Sequence, residues 1–548
     1  MRAGNVQLSR EDRMTKSRSG PDVVDIAIVG GGVSGVYAGW RLRTQQNGGD
    51  APPSVTVFES SDRIGGRLLS ATPPGMPRTR CELGGMRYES IHTLVRSLVE
   101  HVLGLHHVPM PVADPQSRNL AYFRGTHLRL EDLATDRVPY NLSWTERGLG
   151  PGLLLVRYAL DQILPGATDM SEDELLLAVR TARFEGKPLC ELGFWNVLAK
   201  VLSTEGYHFA MDAGGYDCLT SNWNTADAIP FLLADFAPTV TYSRVVEGFD
   251  QVPLRIADRF QEADGTVMLE WTLESFDTAE LPGGDTGVAL RFHGRDETVL
   301  AKHLILALPR RSIELLQRTG PLLHPSNEDV WSLIRSVEPI PLFKLFVCYP
   351  YPWWQSVGVS TGRSLTDLPL RQCYYWGVEG EQDGADPRNR NAALLASYDD
   401  ERYTTFWEGL MSAAHDRFQP GDSGGGSASW HDHQAPEPMV REIHRQLVEL
   451  HGTPAAPEPY AAAFRDWQED PFGGGVHFWK THSRSWDVIP AIVQPKRAVP
   501  VHICGEAYSH QQGWVEGALE TTELMLQTCF GLAKPDWVVP MASRGTAG

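Results

Sequence analysis

The pattern of apolar and polar residues near the start of the chain predicts a strand, a glycine-rich turn and a helix. The apolar run DIAIV (25–29) leads into GGGVSG (30–35), and the following VSGVYAGWRLRTQQ has the pattern of a helix. A polar loop containing NGGDAPP then leads to SVTVFE, a second predicted strand that ends at Glu59. A strand, a helix and a second strand in this order predict a βαβ unit.

The middle of the chain changes from helical to strand patterns. Residues 90–230 are mostly helical, and SEDELLLAVRTARF within them begins with Ser171 and Glu174 at the spacing of a capping box. From 241 to 310 short strands return as TVMLEWTLESF, TGVALRFHG and HLILALP. The last of these is fully apolar up to Pro309, as expected for a buried parallel strand.

The C-terminal half mixes strands and helices. KLFVCYPYPWW and NAALLASY are predicted strands, whereas DDERYTTFWEGLMSAAHDRF and PMVREIHRQLVELHG are predicted helices, and GDSGGGSASW between these helices indicates an exposed loop. A last strand, AVPVHICGE, precedes the predicted helix GWVEGALETTELMLQTCF. Parts of one nucleotide-binding domain therefore occur at both ends and in the middle of the chain.

The predicted fold class is α/β with α+β character, and 548 residues are enough for two or three domains. We expect a discontinuous Rossmann-like nucleotide-binding domain, an inserted substrate-binding domain and a helical subdomain. The predicted boundaries are 22–90, 241–322 and 495–532 for the discontinuous domain, 91–240 for the mainly helical subdomain, 323–494 for the substrate-binding domain, and 1–21 and 533–548 for flexible termini.

Composition and charge exclude several classes of protein. The 49 basic and 68 acidic residues give a net charge of −19, which disfavours binding to nucleic acids and to anionic membranes. The seven cysteines are widely spaced and form no CxxC, so we expect a reducing compartment and neither a disulfide framework nor a metal site. The polar N-terminus lacks the apolar segment of a signal peptide, and no apolar run reaches about 18 residues. We therefore expect a cytoplasmic protein without a membrane span.

The glycine-rich turn has the spacing of a dinucleotide-binding site. Gly30, Gly32 and Gly35 form G-x-G-x-x-G between a strand and a helix. The first glycine permits the tight turn, the second permits the approach of a pyrophosphate, and the third lets the helix pack on the strand. The N-terminus of the helix then faces the phosphates. Glu59 stands at the end of the second strand, where a carboxylate binds ribose hydroxyls.

Three further motifs distinguish between the possible dinucleotides. ESSDRIGGRLLS (59–70) follows the second strand, CELGGMRYES (81–90) comes soon after it, and VHICGEAYSHQQGWVEGALETT (501–522) stands near the C-terminus. In this order, the motifs resemble those of the FAD-dependent amine oxidase family, and of its L-amino acid oxidase branch, over residues 22–530. The resemblance implies non-covalently bound FAD with contacts from Gly30, Gly32, Val33, Ser34, Gly35, Glu59, Ser60, Gly66, Arg67, Gly84, Gly85, Met86, Arg87, Glu506, Gly513, Trp514 and Val515.

The resemblance also implies how these residues contact the cofactor. Gly66 and Arg67 would contact the diphosphate region, and the segment 84–86 would pass under the flavin. Glu506 would hold the ribityl or diphosphate end, and the helix that begins near Trp514 would point its N-terminus at the pyrimidine ring. This last role is physically reasonable, because the reduced flavin is anionic there and a helix N-terminus stabilises negative charge.

The same resemblance suggests which amine the protein oxidises. A carboxylate in a dry site needs a partner, and a bidentate arginine is the expected one. Arg87 in GGMRY stands where amino acid oxidases of this family have such an arginine, and Tyr398 at the end of NAALLASY resembles the tyrosine that donates to the same carboxylate. The segment TDLPLRQCYYW (366–376) resembles the same branch.

Other residues receive roles by the same resemblance. Lys344 lies in an apolar strand, where a lysine must find a partner or face a cavity, and it would hold a water against flavin N5 and assist the dioxygen step. Gly513 and Trp514 would lie over the flavin face, with the glycine carbonyl accepting from the amine. Trp467 would form another wall and Trp223 would line the side-chain pocket, with core packing as the alternative role for a tryptophan.

One departure from the family concerns the catalytic base. Some amino acid oxidases carry a histidine upstream of the segment that matches VVEGFDQVP, but here DAIPFLLADFAPTVTYSR contains none. If the substrate arrives with a neutral amine, hydride transfer needs positioning more than a base, so we name no general base. Asp235 or Glu516 could select Lys or Arg side chains, but the sequence does not predict the side-chain preference.

The resemblance therefore implies an L-amino acid oxidase in which the catalytic residues are Lys344, Arg87, Tyr398 and Trp514. Hydride transfer from Cα to flavin N5 yields an imino acid, water hydrolyses it to a 2-oxo acid and ammonia, and dioxygen reoxidises the flavin with formation of hydrogen peroxide. Three alternatives stay open: an amino acid monooxygenase that forms an amide, a monoamine or polyamine oxidase, and a non-catalytic FAD-binding scaffold. The expected partners are an L-amino acid and dioxygen, and a homodimer is a family expectation only.

Overall fold

The computed structural model describes residues 23–45, 51–112, 116–235, 240–411, 426–468 and 473–540. The strands in these ranges are β1 (Val23–Val29), β2 (Val55–Phe58), β3 (Ser70–Ala71), β4 (Cys81–Glu82), β5 (Tyr88–Glu89), β6 (His107–Pro109), β7 (Leu120–Phe123), β8 (Thr126–Arg129), β9 (Arg183–Phe184), β10 (Lys187–Pro188), β11 (Tyr242–Val245), β12 (Thr266–Met268), β13 (Leu273–Glu280), β14 (Thr286–Phe292), β15 (Thr298–Leu306), β16 (Val337–Ile340), β17 (Leu342–Tyr349), β18 (Arg363–Thr366), β19 (Gln372–Val378), β20 (Ala392–Asp400), β21 (Ala461–Asp466), β22 (Val476–Trp479) and β23 (Val501–Ile503). The α-helices are α1 (Val33–Thr44), α2 (Thr93–Ser97), α3 (Leu160–Ile163), α4 (Glu172–Thr181), α5 (Phe194–Val201), α6 (Thr204–Gly214), α7 (Thr225–Asp235), α8 (Gln251–Glu262), α9 (Arg310–Glu314), α10 (Gly320–Leu323), α11 (Glu328–Ile334), α12 (Thr404–Met411), α13 (Ala428–Asp432), α14 (Glu437–His451), α15 (Ser485–Ile492) and α16 (Val515–Phe530).

The first large sheet combines strands from three distant parts of the sequence. Its order is β12-β2-β1-β15-β14-β13, and β23 pairs with the C-terminal end of β15. β1 runs parallel to β2 and β15, and β23 also runs parallel to β15. The predicted buried parallel strand is confirmed, because Leu304, Ile305 and Leu306 of β15 are fully buried.

Apolar layers cover both faces of this sheet. Ile26 and Ile28 of β1 belong to a core that includes residues of α1, α8 and α16. The alternate residues Ala27 and Val29 belong to a second core, which includes residues of α10, α11 and α15. Successive side chains of a strand point to opposite faces, so the continuous apolar pattern of β1 follows from burial on both sides.

One predicted strand of this region is two strands. TVMLEWTLESF forms β12 and β13, which lie at opposite edges of the sheet. The chain turns between them at Glu270, whose φ of +61° lies in the left-handed region. An extended strand cannot continue through such a residue, so the prediction of a single strand was wrong.

The second large sheet has the order β21-β17-β20-β19-β18-β7-β8 and is mainly antiparallel. Its last two strands form a hairpin inside the stretch predicted to be mainly helical. The hairpin turns at Arg124 and Gly125, whose φ values of +47° and +75° suit a two-residue turn. These strands have only four residues each, too few to interrupt a helical pattern that is averaged over longer windows.

The predicted capping box at the start of one helix in the helical region is confirmed. Ser171 caps α4: its hydroxyl accepts from the N–H of Glu174, whose carboxylate accepts in return from the N–H of Ser171. Part of the helix predicted from DDERYTTFWEGLMSAAHDRF falls on 412–420, and part of the predicted glycine-rich loop falls on 421–425; both lie outside the described residues. Within the described ranges, no helix is both long and apolar enough to cross a membrane.

Candidate active site

The glycine-rich turn joins β1 to α1 at the carboxyl end of the parallel strands. Gly30 has a φ of +111°, and a Cβ there would lie 2.4 Å from the carbonyl oxygen of Ala307. A Cβ on Gly35 would lie 1.9 Å from the carbonyl oxygen of Gly30. Both positions therefore exclude a side chain, as the turn and the close packing of α1 on β1 require.

The N-terminus of α1 is suited to an anion. Gly32 precedes the helix as its N-cap without a side-chain cap, Val33 and Ser34 begin it, and its first turn carries no acidic residue. Gly32 bridges to Gly65, and an added Cβ on Gly32 would meet only the Cα of Gly66, at 4.0 Å, among the residues described. Bare backbone from two segments thus surrounds the positive end of α1, which fits a pyrophosphate.

Glu59 lies beside this turn at the end of β2. Its carboxylate accepts hydrogen bonds from the N–H groups of Gly31 (2.6 Å) and Ser61 (2.9 Å) and from the hydroxyl of Ser60 (3.3 Å). The carboxylate is therefore fixed next to the glycine-rich turn. This position fits the predicted contact with ribose hydroxyls.

Glu506 is the centre of a buried charge network. Its carboxylate forms an ion pair with Arg67 (2.7 Å) and accepts hydrogen bonds from the N–H groups of Gly513 (2.8 Å) and His477 (2.9 Å). Burial alone would raise the pKa of Glu506, but Arg67 and His477 hold it well below the ordinary value. Arg67 and Glu506 thus bind each other, and their predicted contacts with the cofactor stay predictions.

The segment Gly84–Met86 packs tightly against the chain at Arg67 and Leu68. A Cβ on Gly84 would lie 2.0 Å from the carbonyl oxygen of Arg67, and one on Gly85 would lie 2.6 Å from a side-chain methyl of Leu68. Met86 is buried in the core between this segment and the second sheet. Packing therefore requires both glycines, independently of any cofactor.

Lys344 points from β17 of the second sheet to this segment. Its Nζ donates to the carbonyl oxygens of Glu82 (3.2 Å) and Gly84, and it lies 4.7 Å from the ring centroid of Tyr398. Burial lowers the pKa of Lys344 to about 7. Burial also raises the pKa of the neighbouring Glu82 carboxyl to about 8. A lysine that loses its charge near neutral pH can hold or release a proton next to the predicted flavin position.

Arg87 lies in an aromatic cage. Its Cζ is 4.2 Å from the ring centroid of Tyr242 and 6.0 Å from those of Tyr374 and Trp514, and its Nη1 is 3.4 Å from the Tyr374 hydroxyl oxygen. The side chain is half-buried, and no ion pair to it is formed within the described part of the chain. Desolvation alone would lower the pKa of Arg87, but nearby tyrosines and Asp235 raise it well above the ordinary value.

Trp514 and Tyr398 lie near this guanidinium: the Trp514 ring is 6.0 Å from Arg87 Cζ, and the Arg87 charge acts on the Tyr398 hydroxyl. Tyr398 stands opposite Lys344 in the pairing of β20 with β17, and its ring meets Tyr216 edge-on at 5.3 Å. Trp514 is the N-cap of α16, so Val515 begins the helix, and the Trp514 ring stacks in parallel on Tyr242 at 6.5 Å. The structure therefore brings Arg87, Tyr398, Lys344 and Trp514 together from four segments.

The two other predicted wall residues lie in different places. Trp467 donates through Nε1 to the carbonyl oxygen of Leu83 (2.8 Å), so it borders the segment that Lys344 contacts. Trp223 is buried in the core of the helical region, where it stacks on Phe478 at 4.1 Å. These contacts give Trp223 a packing role and do not support the prediction that it lines the side-chain pocket.

Sequence reasoning missed several residues of the cage. Tyr374 and Tyr242 contact Arg87, and Tyr216 reaches the Tyr374 hydroxyl at 3.4 Å. A second half-buried arginine, Arg363, donates to Gln372 Oε1 at 2.6 Å next to the same tyrosines. The only available signal was the segment 366–376, which contains Tyr374. Tyr242 and Tyr216 come from strands and loops far away in sequence, and nothing local marks them.

The chain belongs to the family of flavin containing amine oxidoreductases. The family model matches residues 33–417 and 422–523, which include α1, the Arg87 cage and Glu506. FAD is therefore the cofactor of this protein. The protein is a flavin-dependent oxidoreductase that acts on amino groups.

Similar proteins include Aplysianin-A of Aplysia kurodai, 28% identical over 93% of this chain and 90% of the relative, and Achacin of Lissachatina fulica, 26% identical over 94% and 96%. The L-amino-acid oxidase of Siganus canaliculatus is 22% identical over 90% of this chain and 83% of the relative. Among solved structures, cyclohexylamine oxidase from Brevibacterium oxydans aligns with a TM-score of 0.63 at 21% identity over 92% of this chain and 98% of that chain. This structural likeness shows the shared fold.

Proposed function

We propose that the chain is an L-amino acid oxidase, which converts L-amino acids to 2-oxo acids, ammonia and hydrogen peroxide. The observation that carries the proposal is the Arg87 guanidinium, held in an aromatic cage without an ion pair among the described residues. A guanidinium binds a carboxylate through two parallel hydrogen bonds, whereas a simple amine offers no group for it. The relative that is named an L-amino-acid oxidase supports the same assignment.

The surroundings of Arg87 suit a substrate that lies between the cage and the cofactor. Gly85, two residues before Arg87, and Gly513, directly before Trp514, are exposed, so a ligand can reach the chain at both positions. The rings of Tyr398 and Trp514 would flank the amine and Cα and exclude water, which aligns the Cα–H bond for transfer. Bound FAD supplies the two-electron acceptor, and we propose that it binds non-covalently.

The two tyrosines of β19 and β20 would complete the carboxylate site. The Tyr374 hydroxyl already lies within reach of Arg87, so it is placed to donate to an oxygen of a carboxylate bound by Arg87. Burial raises the pKa of Tyr398, so its hydroxyl stays protonated and available as a donor at neutral pH. Lys344, which lies opposite Tyr398 in the pairing of β17 with β20, would hold the proton and the water that the dioxygen step requires.

The test is anaerobic mixing of the purified holoenzyme with matched substrates while the flavin absorbance is followed. L-Leucine, D-leucine and isoamylamine share one side chain, but isoamylamine lacks the carboxylate. We expect L-leucine or other L-amino acids to bleach the flavin and isoamylamine to leave it oxidised. Bleaching by amines alone would contradict the proposal and give Arg87 a structural role.

The products distinguish the remaining alternatives. An oxidase releases one 2-oxo acid, one ammonia and one hydrogen peroxide per substrate, whereas a monooxygenase releases carbon dioxide and an amide. A scaffold protein would bind FAD that no amine or amino acid bleaches. The cytoplasmic location, the homodimer and the domain boundaries stay predictions.

A further inference from the structure

Two carboxyl groups lie next to the Arg87 cage. Glu89 lies in β5, two residues after Arg87, and is only 1% exposed. The positive charge of Arg87 is close enough to act on the Glu89 carboxyl. The carboxyl of Asp235, at the end of α7, lies within hydrogen-bonding reach of Glu89. Asp235 also accepts from the hydroxyl of Tyr242 (3.2 Å), whose ring covers Arg87.

No cation satisfies the Glu89 carboxylate within the described residues. His92 is the nearest base, but its Nε2 is 3.6 Å from Glu89 Oε2, and burial lowers the pKa of His92 to about 3, so the ring is neutral. Glu89 Oε1 is buried without a hydrogen-bond donor in the same described ranges. The charged or titratable groups that face Glu89 are therefore Asp235, His92, Tyr242 and Arg87.

Only one charge state balances this arrangement. Two ionised carboxylates in contact would repel each other in a site of low polarity, and two protonated ones would leave Arg87 without a counter-charge. One shared proton gives the carboxyl pair a single negative charge opposite the single positive charge of Arg87. It also supplies a donor for Glu89, whose Oε1 otherwise has none among the described residues.

We infer that Glu89 and Asp235 share one proton and act as a single counter-anion, which holds the Arg87 guanidinium in place and competes with the substrate carboxylate for its charge. The inference rests on the proposed function, because it assumes that Arg87 binds a carboxylate. Burial, followed by the nearby Asp235, raises the pKa of Glu89 to about 10, which agrees with a retained proton at neutral pH. The two carboxyls are positioning residues, since they act through Arg87 and Tyr242.

A shared proton predicts that either single substitution is mild at neutral pH. Glu89→Gln mimics the protonated partner and leaves Asp235 charged. Asp235→Asn leaves Glu89 next to Arg87 without a competing anion, so Glu89 ionises and restores the same net charge. Only the double variant removes the counter-anion, so the effects of the two substitutions are strongly non-additive.

The test is calorimetric titration of the holoenzyme with 2-aminoisobutyrate, an amino acid without a Cα–H bond that cannot be oxidised. We expect each single variant to bind this probe within about twofold of the wild type at neutral pH. The double variant should bind it about tenfold more tightly, because the probe then supplies the only counter-charge of Arg87. Asp227→Asn, which removes another buried carboxyl of α7, is the matched control and should leave the affinity unchanged.

The pH dependence gives a second readout if the double variant does not fold. As the pH approaches about 10, the wild-type pair loses its proton and becomes doubly negative, so the wild type should lose affinity for the probe. Both single variants should lack this additional loss. Affinity losses at high pH that are equal in the wild type and the single variants would overturn the inference.

Two other results would also overturn it. Large and additive effects of the single substitutions would mean that both carboxyls are ionised. A selective loss of L-lysine turnover relative to L-norleucine in the single variants would mean that the pair binds a cationic side chain instead. Failure of the wild type to bind the probe would refute the proposed function itself, and the inference with it.

Discussion

Two parts of the candidate active site differ in construction. We call the glycine-rich turn with Glu59 and Glu506 the cofactor end, and the Arg87 cage with Lys344 the amine end. At the cofactor end the backbone forms the candidate site: Gly30 and Gly35 permit the turn and the packing of α1 on β1, Gly32 leaves open space, and the N-terminus of α1 offers a positive field. The charged side chains there have partners in the protein, as Glu59 and Glu506 show. The glycine-rich turn itself forms within one short segment, between β1 and α1.

At the amine end, side chains form the site and their charges are incompletely paired. Arg87 has aromatic neighbours but no ion pair in the described part of the chain, and Lys344 binds only backbone carbonyls. Five separate segments must fold before the cage exists. The difference indicates that the packing of several segments holds the charged groups of the amine end in place for a ligand. The glycine-rich turn at the cofactor end depends on the backbone geometry of one segment.

The largest effect is expected at the backbone site. Gly35→Ala places a methyl group 1.9 Å from the carbonyl oxygen of Gly30, so α1 must move away from β1. We expect the flavin content to fall below about one tenth of the wild-type value, because the helix N-terminus no longer meets the phosphates. The ratio of flavin absorbance to protein absorbance measures the flavin content.

A glycine without such a contact is the control for this substitution. Gly214 ends α6 with open space around an added Cβ, so Gly214→Ala should keep the full flavin content. Equal flavin content in the Gly35 and Gly214 variants would show that backbone shape does not define the cofactor end.

The second effect concerns the side-chain site and leaves the cofactor in place. Arg87→Met should reduce kcat/KM for L-leucine by at least about 10³-fold, equivalent to about 4 kcal/mol, because the substrate carboxylate loses its bidentate cationic partner. The flavin content should stay that of the wild type. Steady-state kinetics measure kcat/KM for L-leucine, and the flavin spectrum measures the flavin content.

Arg87→Lys is the matched variant, because it keeps the charge but loses the bidentate geometry. We expect it to recover only part of the lost activity. If Arg87→Met oxidises L-leucine normally, the carboxylate is bound elsewhere and the contrast between the two ends disappears.

The same contrast explains how much could be predicted from the sequence. The turn, β1, α1 and Glu59 lie within forty residues and obey local rules of backbone geometry, so their arrangement follows from spacing. Arg87 and Tyr398 were named through a family resemblance, and the structure brings them near each other. Tyr242 and Tyr374 were not named, because residues that meet only through the packing of two sheets leave no periodic signal.

Two residue sets show how far tertiary contacts decide the outcome. The pocket role that the resemblance gave Trp223 stays a prediction without support, because its ring stacks on Phe478 of β22 in the helical core. The hairpin of β7 and β8 was missed because its strands have only four residues each and pair with β18, which is far away in sequence. Local patterns predict which residues are apolar, and only the tertiary fold decides what those residues contact.

Lys344 lies at the junction of the two ends and should give a smaller effect. Lys344→Met should slow the reaction of the reduced enzyme with dioxygen by about tenfold to a hundredfold and change reduction by L-leucine little, because a positive charge stabilises the negative charge that forms on oxygen. Stopped-flow mixing of the photoreduced enzyme with oxygenated buffer measures the rate.

The pH profile of this rate sharpens the prediction. Burial lowers the pKa of Lys344 to about 7, so the ammonium form predominates below that pH and the amine form above it. The wild-type rate should therefore rise as the pH falls through about 7, and the Lys344→Met profile should be flat. Lys302→Met removes an exposed lysine that pairs with Asp25 and is the control; a flat wild-type profile would refute the role.

The smallest expected effect separates two neighbouring tyrosines of β19. Tyr374 faces Arg87, whereas the hydroxyl of Tyr375 on the opposite face bonds His451 (2.9 Å) and Ser364 (2.7 Å). Tyr374→Phe should raise the KM for L-leucine about fivefold, equivalent to about 1 kcal/mol for one hydrogen bond to the carboxylate, with kcat nearly unchanged. Tyr375→Phe should leave KM unchanged and lower the thermal stability instead, because it leaves a buried histidine nitrogen without its partner. Because both variants lose the same hydroxyl group, a KM increase in both or in neither would show that the Arg87 cage does not extend to Tyr374.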